Sequence, residues 1–166
     1  MSETKNYILD KAVTAKKLKR MAYEILENNI DEDFLVLAGI RESGSVVARN
    51  IQRILAEISP VKTELITISL DKHSPKDVLI SKHLDFTDKV IIVIDDVANS
   101  GRTLLYALKP FLGYQPKKIQ TLVLVERSHK AFPVHSDYVG LSIATTLQEH
   151  IYVEVNAEEV LGAYLK

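Results

Sequence analysis

The sequence predicts an α/β fold, in which a Rossmann-like parallel sheet is flanked by helices. Strand-like apolar runs alternate with helix-like segments, and this order requires right-handed crossovers between parallel strands. The run at residues 90–95 (VIIVID) is apolar until its last residue, as expected for a strand buried on both faces. The 166 residues contain no internal repeat or linker, so we expect one domain, residues 1–166.

Three helices are predicted from apolar residues at helical spacing. The first follows Thr14, a candidate N-cap, and ends near residues 28–31. The second follows a glycine-containing loop at residues 39–45 and is stopped by Pro60. The third follows Thr103 and ends near Gly113.

Four longer strands are predicted, at residues 34–38, 64–70, 90–95 and 119–126. Two short strand candidates, 137–144 and 151–155, form a small β appendage, and the tail at residues 157–166 is predicted as one or two helical turns. The connection at residues 71–88 is long and charged, which in a compact domain is typical of a functional or mobile segment.

Composition excludes several classes of function. The net charge of −1 gives no electrostatic footprint for nucleic acid, although it leaves room for a local basic patch. The absence of cysteine excludes disulfides, thiol catalysis and cysteine-ligated metals. Residues 1–10 lack the apolar region of a signal peptide, and no apolar run approaches the roughly 20 residues of a membrane span. We therefore expect a cytoplasmic enzyme or regulator.

Two adjacent carboxylates, Asp95 and Asp96, end the central apolar run and precede a loop of small residues. Ligands of open α/β sheets bind outside the carboxyl ends of the strands. A small-residue loop that opens a helix offers free backbone N–H groups, which suit a phosphate. The sequence therefore predicts a ligand that carries both hydroxyls and a phosphate, such as a sugar phosphate.

Other interpretations of these motifs fit less well. Gly39 and Gly44 have P-loop spacing, but Ser45 follows where a P-loop has lysine, and the two glycines can simply permit a tight turn. Paired acids also occur in receiver domains, but there they follow the first strand. A helix N-cap beside a solvated acid is a third possibility. The five histidines show no paired metal-ligand spacing.

The segment IIVIDDVANSGRT, residues 91–103, closely resembles the phosphoribosyl pyrophosphate (PRPP) motif of type I phosphoribosyltransferases. Residues 122–146 (LVLVERSHKAFPVHSDYVGLSIATT) resemble the pyrimidine-operon attenuator proteins that double as uracil phosphoribosyltransferases. With residues 38–51, the resemblance covers most of the chain. It implies the type I phosphoribosyltransferase fold, with a small β hood at about residues 127–155.

The resemblance implies a role for each motif. Asp95 and Asp96, the catalytic acids, would hold the ribose hydroxyls of PRPP. The 5′-phosphate would lie on a loop formed by Ala98, Asn99, Ser100, Gly101, Arg102 and Thr103. Pyrophosphate would lie on a loop that tends to hold a cis peptide in this family and is formed here by Arg41, Glu42, Ser43 and Gly44. Uracil would contact Arg127, Asp137, Tyr138, Val139 and Gly140.

The resemblance also implies the cofactor and the partners. Mg²⁺ would be bound mainly through PRPP, with no protein ligand directly assigned. The partners would be PRPP, uracil and UMP, together with a second copy of the chain in a homodimer or a higher homo-oligomer. RNA is a possible partner that the net charge does not support. Residues 71–88 would form the lid.

Three departures from the family pattern lead to two functional hypotheses. Glu42-Ser43 replaces the usual Thr-Arg, the lid lacks its initial Arg-Asp pair, and Asn99 stands where hypoxanthine enzymes have an acid that acts as general base. The first hypothesis is a pyrimidine-salvage enzyme that makes UMP and pyrophosphate from uracil and PRPP. The second is an RNA-binding regulator of pyrimidine gene expression that senses PRPP or nucleotides, with weak or no transferase activity.

Overall fold

A six-stranded sheet lies at the centre of the protein in the computed structural model, which describes residues 4–146 and 148–166. Its spatial order is β4 (Val78–Ile80), β3 (Lys62–Leu70), β2 (Phe34–Ile40), β5 (Val90–Ala98), β6 (Lys118–Arg127) and β7 (Tyr138–Ile143). All neighbours pair in parallel except β3 and β4. The predicted parallel sheet is therefore confirmed.

The central strands are buried on both faces, which explains their continuous apolar sequence. In β5, Val90, Ile92 and Ile94 belong to one hydrophobic cluster, whereas Ile91 and Val93 belong to the cluster on the opposite face. Alternation of side chains across the sheet separates the two sets. The apolar run at residues 90–95 therefore correctly predicted a central strand, β5.

Helices cover both faces of this sheet. α1 (Lys11–Asn28) and α2 (Ser43–Ile58) contribute to the cluster that contains Ile92, whereas α3 (Arg102–Ala107) and the 3-10 turn Lys109–Phe111 contribute to the cluster that contains Ile91. Among the described residues, 4–146 and 148–166, no helix is long and apolar enough to cross a membrane.

The first helix begins earlier than the sequence predicted. Its N-cap is Asp10, whose Oδ1 accepts a hydrogen bond from the backbone N–H of Val13 at 2.8 Å. Thr14, the predicted cap, lies inside the helix, where its hydroxyl donates to the carbonyl of Asp10 at 2.7 Å. The carboxylate of Asp10 satisfies a free N–H group of the first turn, which is what an N-cap does.

A second, antiparallel sheet of three strands packs beside α1 and α2 and forms the hood. Its order is β1 (Asn6–Leu9), β9 (Val160–Leu165) and β8 (Ile151–Val155). This corrects the predicted hood boundaries of 127–155, because β7 pairs with β6 in the main sheet. The helical prediction for the tail was wrong, since residues 160–165 form β9. Leu147, within the predicted hood, lies outside the described residues.

The connection predicted as a lid is partly built into the core. It contains β4, which pairs with β3. Near its end, Phe86 is fully buried and makes edge-to-face contacts with Phe111 and Tyr114, with ring centroids 5.0 and 5.1 Å apart. At least these two parts of the connection are therefore packed against the rest of the domain.

We predict that Gly140→Ala destabilises the fold by about 3 kcal/mol, because an added methyl group would overpack the β6–β7 contact. A Cβ at Gly140 would lie 2.3 Å from the carbonyl oxygen of Leu124, which is backbone and cannot move aside. Gly113→Ala is the matched control: a Cβ there meets no atom within 4 Å, and we expect a change within about 1 kcal/mol. Equal denaturant midpoints for the two variants would contradict this packing.

Candidate active site

The site is created where the start of α2 meets the end of β5. A Cβ on Gly44 would lie 2.8 Å from the carbonyl oxygen of Ile94 and 3.0 Å from the Cα of Asp95. Any side chain at Gly44 would therefore push the two segments apart. The loop before α2, which contains a cis peptide bond between Arg41 and Glu42, thus lies against the acidic end of β5.

The two acids occupy different environments. Asp95 is only 1% exposed, whereas Asp96 is partly exposed and lines a cavity. Oδ1 of Asp95 accepts the backbone N–H of Asp96 at 2.9 Å and lies 3.8 Å from Nζ of Lys72. Its Oδ2 is buried without a hydrogen-bond partner among the described residues. This site therefore holds a buried, only partly compensated carboxyl group.

Burial raises the pKa of Asp95 well above its usual range, and the neighbouring charge of Asp96 raises it further. The ammonium group of Lys72 acts in the opposite direction by favouring the ionised carboxylate. Because desolvation is the larger effect, the folded protein binds a proton at Asp95 more tightly than the unfolded chain does.

The loop after β5 presents backbone N–H groups. Gly101 adopts a left-handed conformation, with φ of 85°, just before α3. The carbonyl of Ser100 accepts the N–H groups of Ala131 and Phe132, both at 3.0 Å, so it is turned toward the 131–132 segment. Within the described chain, the N–H groups of Gly101 and Thr103 donate to no acceptor, and that of Arg102 donates only to Oγ of Ser100, at 3.3 Å. Such free N–H groups are typical of anion sites.

A cavity of about 300 Å³ joins these groups. It is lined by Ser43, Lys72 and Asp96, by the loop at residues 98–103, and by Ile151, Tyr152 and Val153 of β8. A single cavity is therefore lined by Asp96, by the loop that carries the free N–H groups and by β8 of the small sheet. This volume accommodates a small phosphorylated molecule.

Strand β8 has one edge that is not paired with a described strand, and three of its residues line that cavity. It pairs only with β9, and His150 and Lys166 exchange two hydrogen bonds of 2.8 and 3.0 Å. Because hydrogen-bonded and non-hydrogen-bonded pairs alternate in antiparallel sheets, Ile151 and Val153 direct their N–H and C=O groups to the free edge. Both residues line the cavity, so their N–H and C=O groups could form hydrogen bonds with the edge of a planar ring.

The family model for the phosphoribosyl transferase domain matches residues 6–158. The chain belongs to this family. The protein named "Bifunctional protein PyrR" in Streptococcus pneumoniae (strain CGSP14) is 32% identical to this phosphoribosyltransferase over 154 residues, which are 89% of this chain and 88% of that protein. The family and the resemblance drawn from the sequence are therefore confirmed.

Solved structures show the same fold. A hypoxanthine-guanine phosphoribosyltransferase from Bacillus anthracis has a TM-score of 0.73 at 23% identity and covers 90% of this chain and 86% of its own. The hypoxanthine phosphoribosyltransferase of Trypanosoma cruzi has a TM-score of 0.78 at 16% identity, over 95% and 96% of the two chains. The predicted type I phosphoribosyltransferase fold is therefore confirmed.

The structure brings only part of the predicted site of this phosphoribosyltransferase to the cavity. Asp96, Ser43 and the loop Ala98–Thr103 line it, and Asp95 lies directly behind. Arg41 and Glu42 instead open onto a neighbouring groove of about 920 Å³, and Glu42 is 85% exposed on its side chain. Nε of Arg41 is 3.9 Å from the carboxylate of Glu42, too long for a hydrogen bond.

None of the five predicted base contacts lines the cavity. β7 pairs with β6 so that Tyr138 lies beside Leu122, well before the end of the strand. The side chain of Asp137 accepts the N–H of Thr121 at 2.8 Å, and the carbonyls of Val139 and Gly140 accept hydrogen bonds from Arg20. These polar groups are used within the fold, and none of Asp137, Tyr138, Val139 and Gly140 lines the cavity.

Tyr138 is a core residue. Its hydroxyl donates to Oε1 of Gln120 at 2.8 Å, and its side chain is almost fully buried. Burial raises the pKa of Tyr138 to about 12, so the hydroxyl remains a hydrogen-bond donor at neutral pH. Asn29, at the C-terminal end of α1, also donates to Oε1 of Gln120, at 3.0 Å. Because Gln120 lies in β6 and Tyr138 in β7, these hydrogen bonds join α1, β6 and β7.

Arg127, the fifth predicted base contact, acts through the loop before β8. Its guanidinium donates to the carbonyls of Thr146 and Glu149, both at 2.8 Å. It therefore fixes the approach to β8, whose edge lines the cavity. The sequence analysis did not include Ile151 and Val153 among the candidate site residues, although it predicted the strand at residues 151–155. It also did not include Lys72, which lies two residues beyond the end of β3 at Leu70.

We predict that Asp95→Asn stabilises the unliganded protein, and increasingly so as the pH rises. Because the folded-state pKa of Asp95 is raised, the stability linked to its protonation is present at low pH and is lost as the pH rises through that pKa. The amide cannot ionise, so the variant should exceed the wild type by about 2 kcal/mol at pH 8 and by less in acid. Urea unfolding from pH 4 to 8 measures the difference, and an advantage that shrinks with rising pH would refute the assignment.

Proposed function

We propose that the protein transfers the phosphoribosyl group of PRPP to uracil and produces UMP and pyrophosphate. The observation that carries this proposal is the single cavity shared by Asp96, the N–H groups of the 98–103 loop and the free edge of β8. A nucleoside monophosphate needs all three: an acceptor for the ribose hydroxyls, hydrogen-bond donors for the phosphate, and backbone donors and acceptors that pair with the edge of the base.

Each group has a role in binding. The N–H groups of Gly101, Arg102 and Thr103, with the hydroxyls of Ser100 and Thr103, bind the 5′-phosphate. Asp96 accepts the ribose hydroxyls from within the cavity, and Asp95 supports it by accepting its backbone N–H. The pyrophosphate of PRPP lies toward Ser43 and Gly44, at the start of α2. Held at both ends, the sugar keeps its reactive C1 in a fixed position.

Charge changes during transfer suit this arrangement. When the bond from C1 to pyrophosphate breaks, positive charge develops on the ribose ring and negative charge on the leaving group. The carboxylate of Asp96 favours the positive ring, and N–H groups at the start of α2 favour the departing anion. Mg²⁺ that is bound to the pyrophosphate would neutralise part of its charge.

The residues present fit a metal that arrives with PRPP. The described parts of the chain hold no group of three or more histidine, aspartate or glutamate side chains able to bind an ion by themselves. Asp95 and Asp96 offer two carboxylates beside the cavity, and Oδ2 of Asp95 has no other partner among the described residues. Oxygen ligands of this kind suit Mg²⁺, which retains waters and substrate phosphates.

Uracil is proposed as the base on two grounds. Its edge alternates carbonyl oxygens with an N–H group, which complements the N–H and C=O groups at the free edge of β8 near Ile151 and Val153. In addition, residue 99 is asparagine, which cannot act as the general base that hypoxanthine enzymes carry at this position by resemblance. The base-binding set thus becomes Ile151 and Val153, with Arg127 holding their loop.

The second candidate is a regulator that binds PRPP or nucleotides with weak or no transfer. Glu42 favours this regulator, because a carboxylate in the pyrophosphate loop repels the leaving group. Arg41 does not form a close ion pair with Glu42 that would offset this charge. We expect a homodimer or larger homo-oligomer in either case. RNA binding would need a basic face that the net charge of −1 does not indicate.

Incubation of the pure protein with uracil, PRPP and MgCl₂ tests the transfer directly. We expect UMP by liquid chromatography, and no inosine monophosphate when hypoxanthine replaces uracil. No UMP with retained PRPP binding would favour the regulator. In that case a gel-retardation assay with pyrimidine leader transcripts, with and without UMP, should detect nucleotide-dependent binding.

We predict that Asp96→Asn weakens PRPP binding by about ten-fold or more, because a neutral amide is a poorer acceptor for ribose hydroxyls than a carboxylate. Asp77→Asn, at an exposed position in the connection after β3, is the control with the same change of charge. Calorimetric titration with PRPP at fixed MgCl₂ measures both. Equal dissociation constants for the two variants would rule out the ribose assignment.

A further inference from the structure

Residues 71–77, between β3 and β4, form a short segment that we call the strap. Oδ1 of Asp71 accepts the backbone N–H of His73 at 2.9 Å and closes a tight turn at the beginning of the strap. Pro75, in the middle, is buried, whereas the other residues of the strap are exposed. The strap is therefore docked on the domain through its centre.

Two cationic side chains hold the strap by its backbone. Nη2 of Arg102, at the start of α3, donates to the carbonyl of His73 at 3.3 Å. Nζ of Lys109, in the 3-10 turn that follows α3, donates to the carbonyl of Lys76 at 3.1 Å. The two accepting carbonyls lie on either side of Pro75, so the buried proline is fastened from both sides. Hydrogen bonds from charged donors are stronger than those between neutral groups.

Arg102 also belongs to the proposed phosphate site. Its backbone N–H is one of the three that we assign to the 5′-phosphate, and the residue lines the cavity together with Lys72 of the strap. Lys109 is not among the described residues that line this cavity. Of the two cations, Arg102 alone therefore contacts both the strap and the proposed phosphate position.

We propose that Arg102 is a positioning residue that couples the phosphate loop to the strap. Its guanidinium keeps the strap docked beside the cavity, and a phosphate bound at its backbone N–H strengthens that hold. Lys109 is a second fastening of the strap that carries no coupling. The inference rests on the proposed function, in which the loop at residues 98–103 binds the 5′-phosphate.

The coupling follows from the position of Arg102 between the two parts. A phosphate bound to its backbone N–H restricts the backbone from which the guanidinium extends. Less conformational entropy is then lost when the side chain binds the carbonyl of His73, so the docked strap becomes more stable. By linkage, the docked strap favours the bound phosphate to the same extent.

Limited trypsin digestion measures how often the strap opens, because trypsin cleaves after lysine and the strap contains two lysines. The experiment compares the wild type with Arg102→Met, Lys109→Met and Lys118→Met, and fragment masses identify cleavage within the strap. Lys118 is the matched control, since its Nζ donates to the carbonyl of Asn28, at the end of α1, at 2.9 Å. Without ligand, we expect cleavage to be about five-fold faster in Arg102→Met and Lys109→Met, because each loses one hydrogen bond to the strap, and unchanged in Lys118→Met.

Ribose 5-phosphate separates coupling from simple fastening, because it carries the phosphate and the ribose but neither base nor pyrophosphate. Each protein is digested with and without this ligand at a concentration that calorimetry shows to be saturating. We expect the ligand to slow strap cleavage about five-fold in the wild type and in Lys109→Met, and less than about two-fold in Arg102→Met. A merely structural Arg102 would leave the protection by ribose 5-phosphate unchanged.

Three results would overturn the inference: unchanged cleavage of unliganded Arg102→Met, the same acceleration in Lys118→Met, or equal protection by ribose 5-phosphate in the wild type and Arg102→Met. If Arg102→Met folds poorly, as judged by its melting temperature, Arg102→Ala replaces it in the same digestions. The proposed function fails separately, because the wild type would then neither bind PRPP nor make UMP. Wild-type turnover with full protection in Arg102→Met removes only the coupling role of Arg102.

Discussion

The close approach of Gly44 to the backbone of Ile94 and Asp95 is the constraint on which the site depends. Two loops that follow different strands must meet within one cavity, and this contact sets the distance between them. The parallel pairing of β2 with β5 brings both strands to the same edge of the sheet. Glycine at residue 44 then lets α2 begin directly against the acids, and its first residue, Ser43, lines the cavity.

The loop at residues 98–103 is held from behind by the segment after β6. The N–H groups of Ala131 and Phe132 bind the carbonyl of Ser100, and Lys130, paired with Glu126, lies beside Gly101. These contacts occupy the carbonyl side of the loop and leave its N–H groups directed elsewhere. A phosphate site built in this way requires little rearrangement when the ligand arrives, which reduces the entropy lost on binding.

The parts of the fold that were predicted correctly have strong local signals. The unbroken apolar run of β5 identified the central strand, because a strand buried on both faces has apolar residues at successive positions. Residues 91–103 then identified the family. Helix α2 was also clear, since Pro60 and the glycine loop mark its ends.

The errors arose where structure depends on distant pairing. β1 is four residues long and pairs with β9 at the other end of the chain, so no local pattern identifies it. Gly162 lies within β9, although glycine usually interrupts a strand. Here glycine is required by the pairing with β1, because a Cβ at residue 162 would lie 2.5 Å from the carbonyl oxygen of Leu9. The base site that we propose at β8 differs from the predicted one for the same reason. Which backbone groups of β8 remain free depends on its register with β9, and the motif at residues 137–140 could not show that.

A crystal structure of the complex with UMP tests the central claim most directly. We expect the phosphate within hydrogen-bond distance of the N–H groups of Gly101, Arg102 and Thr103, the ribose hydroxyls on Asp96, and the uracil ring paired with the backbone of Ile151 or Val153. A phosphate bound elsewhere, or a uracil ring against residues 137–140, would contradict the account.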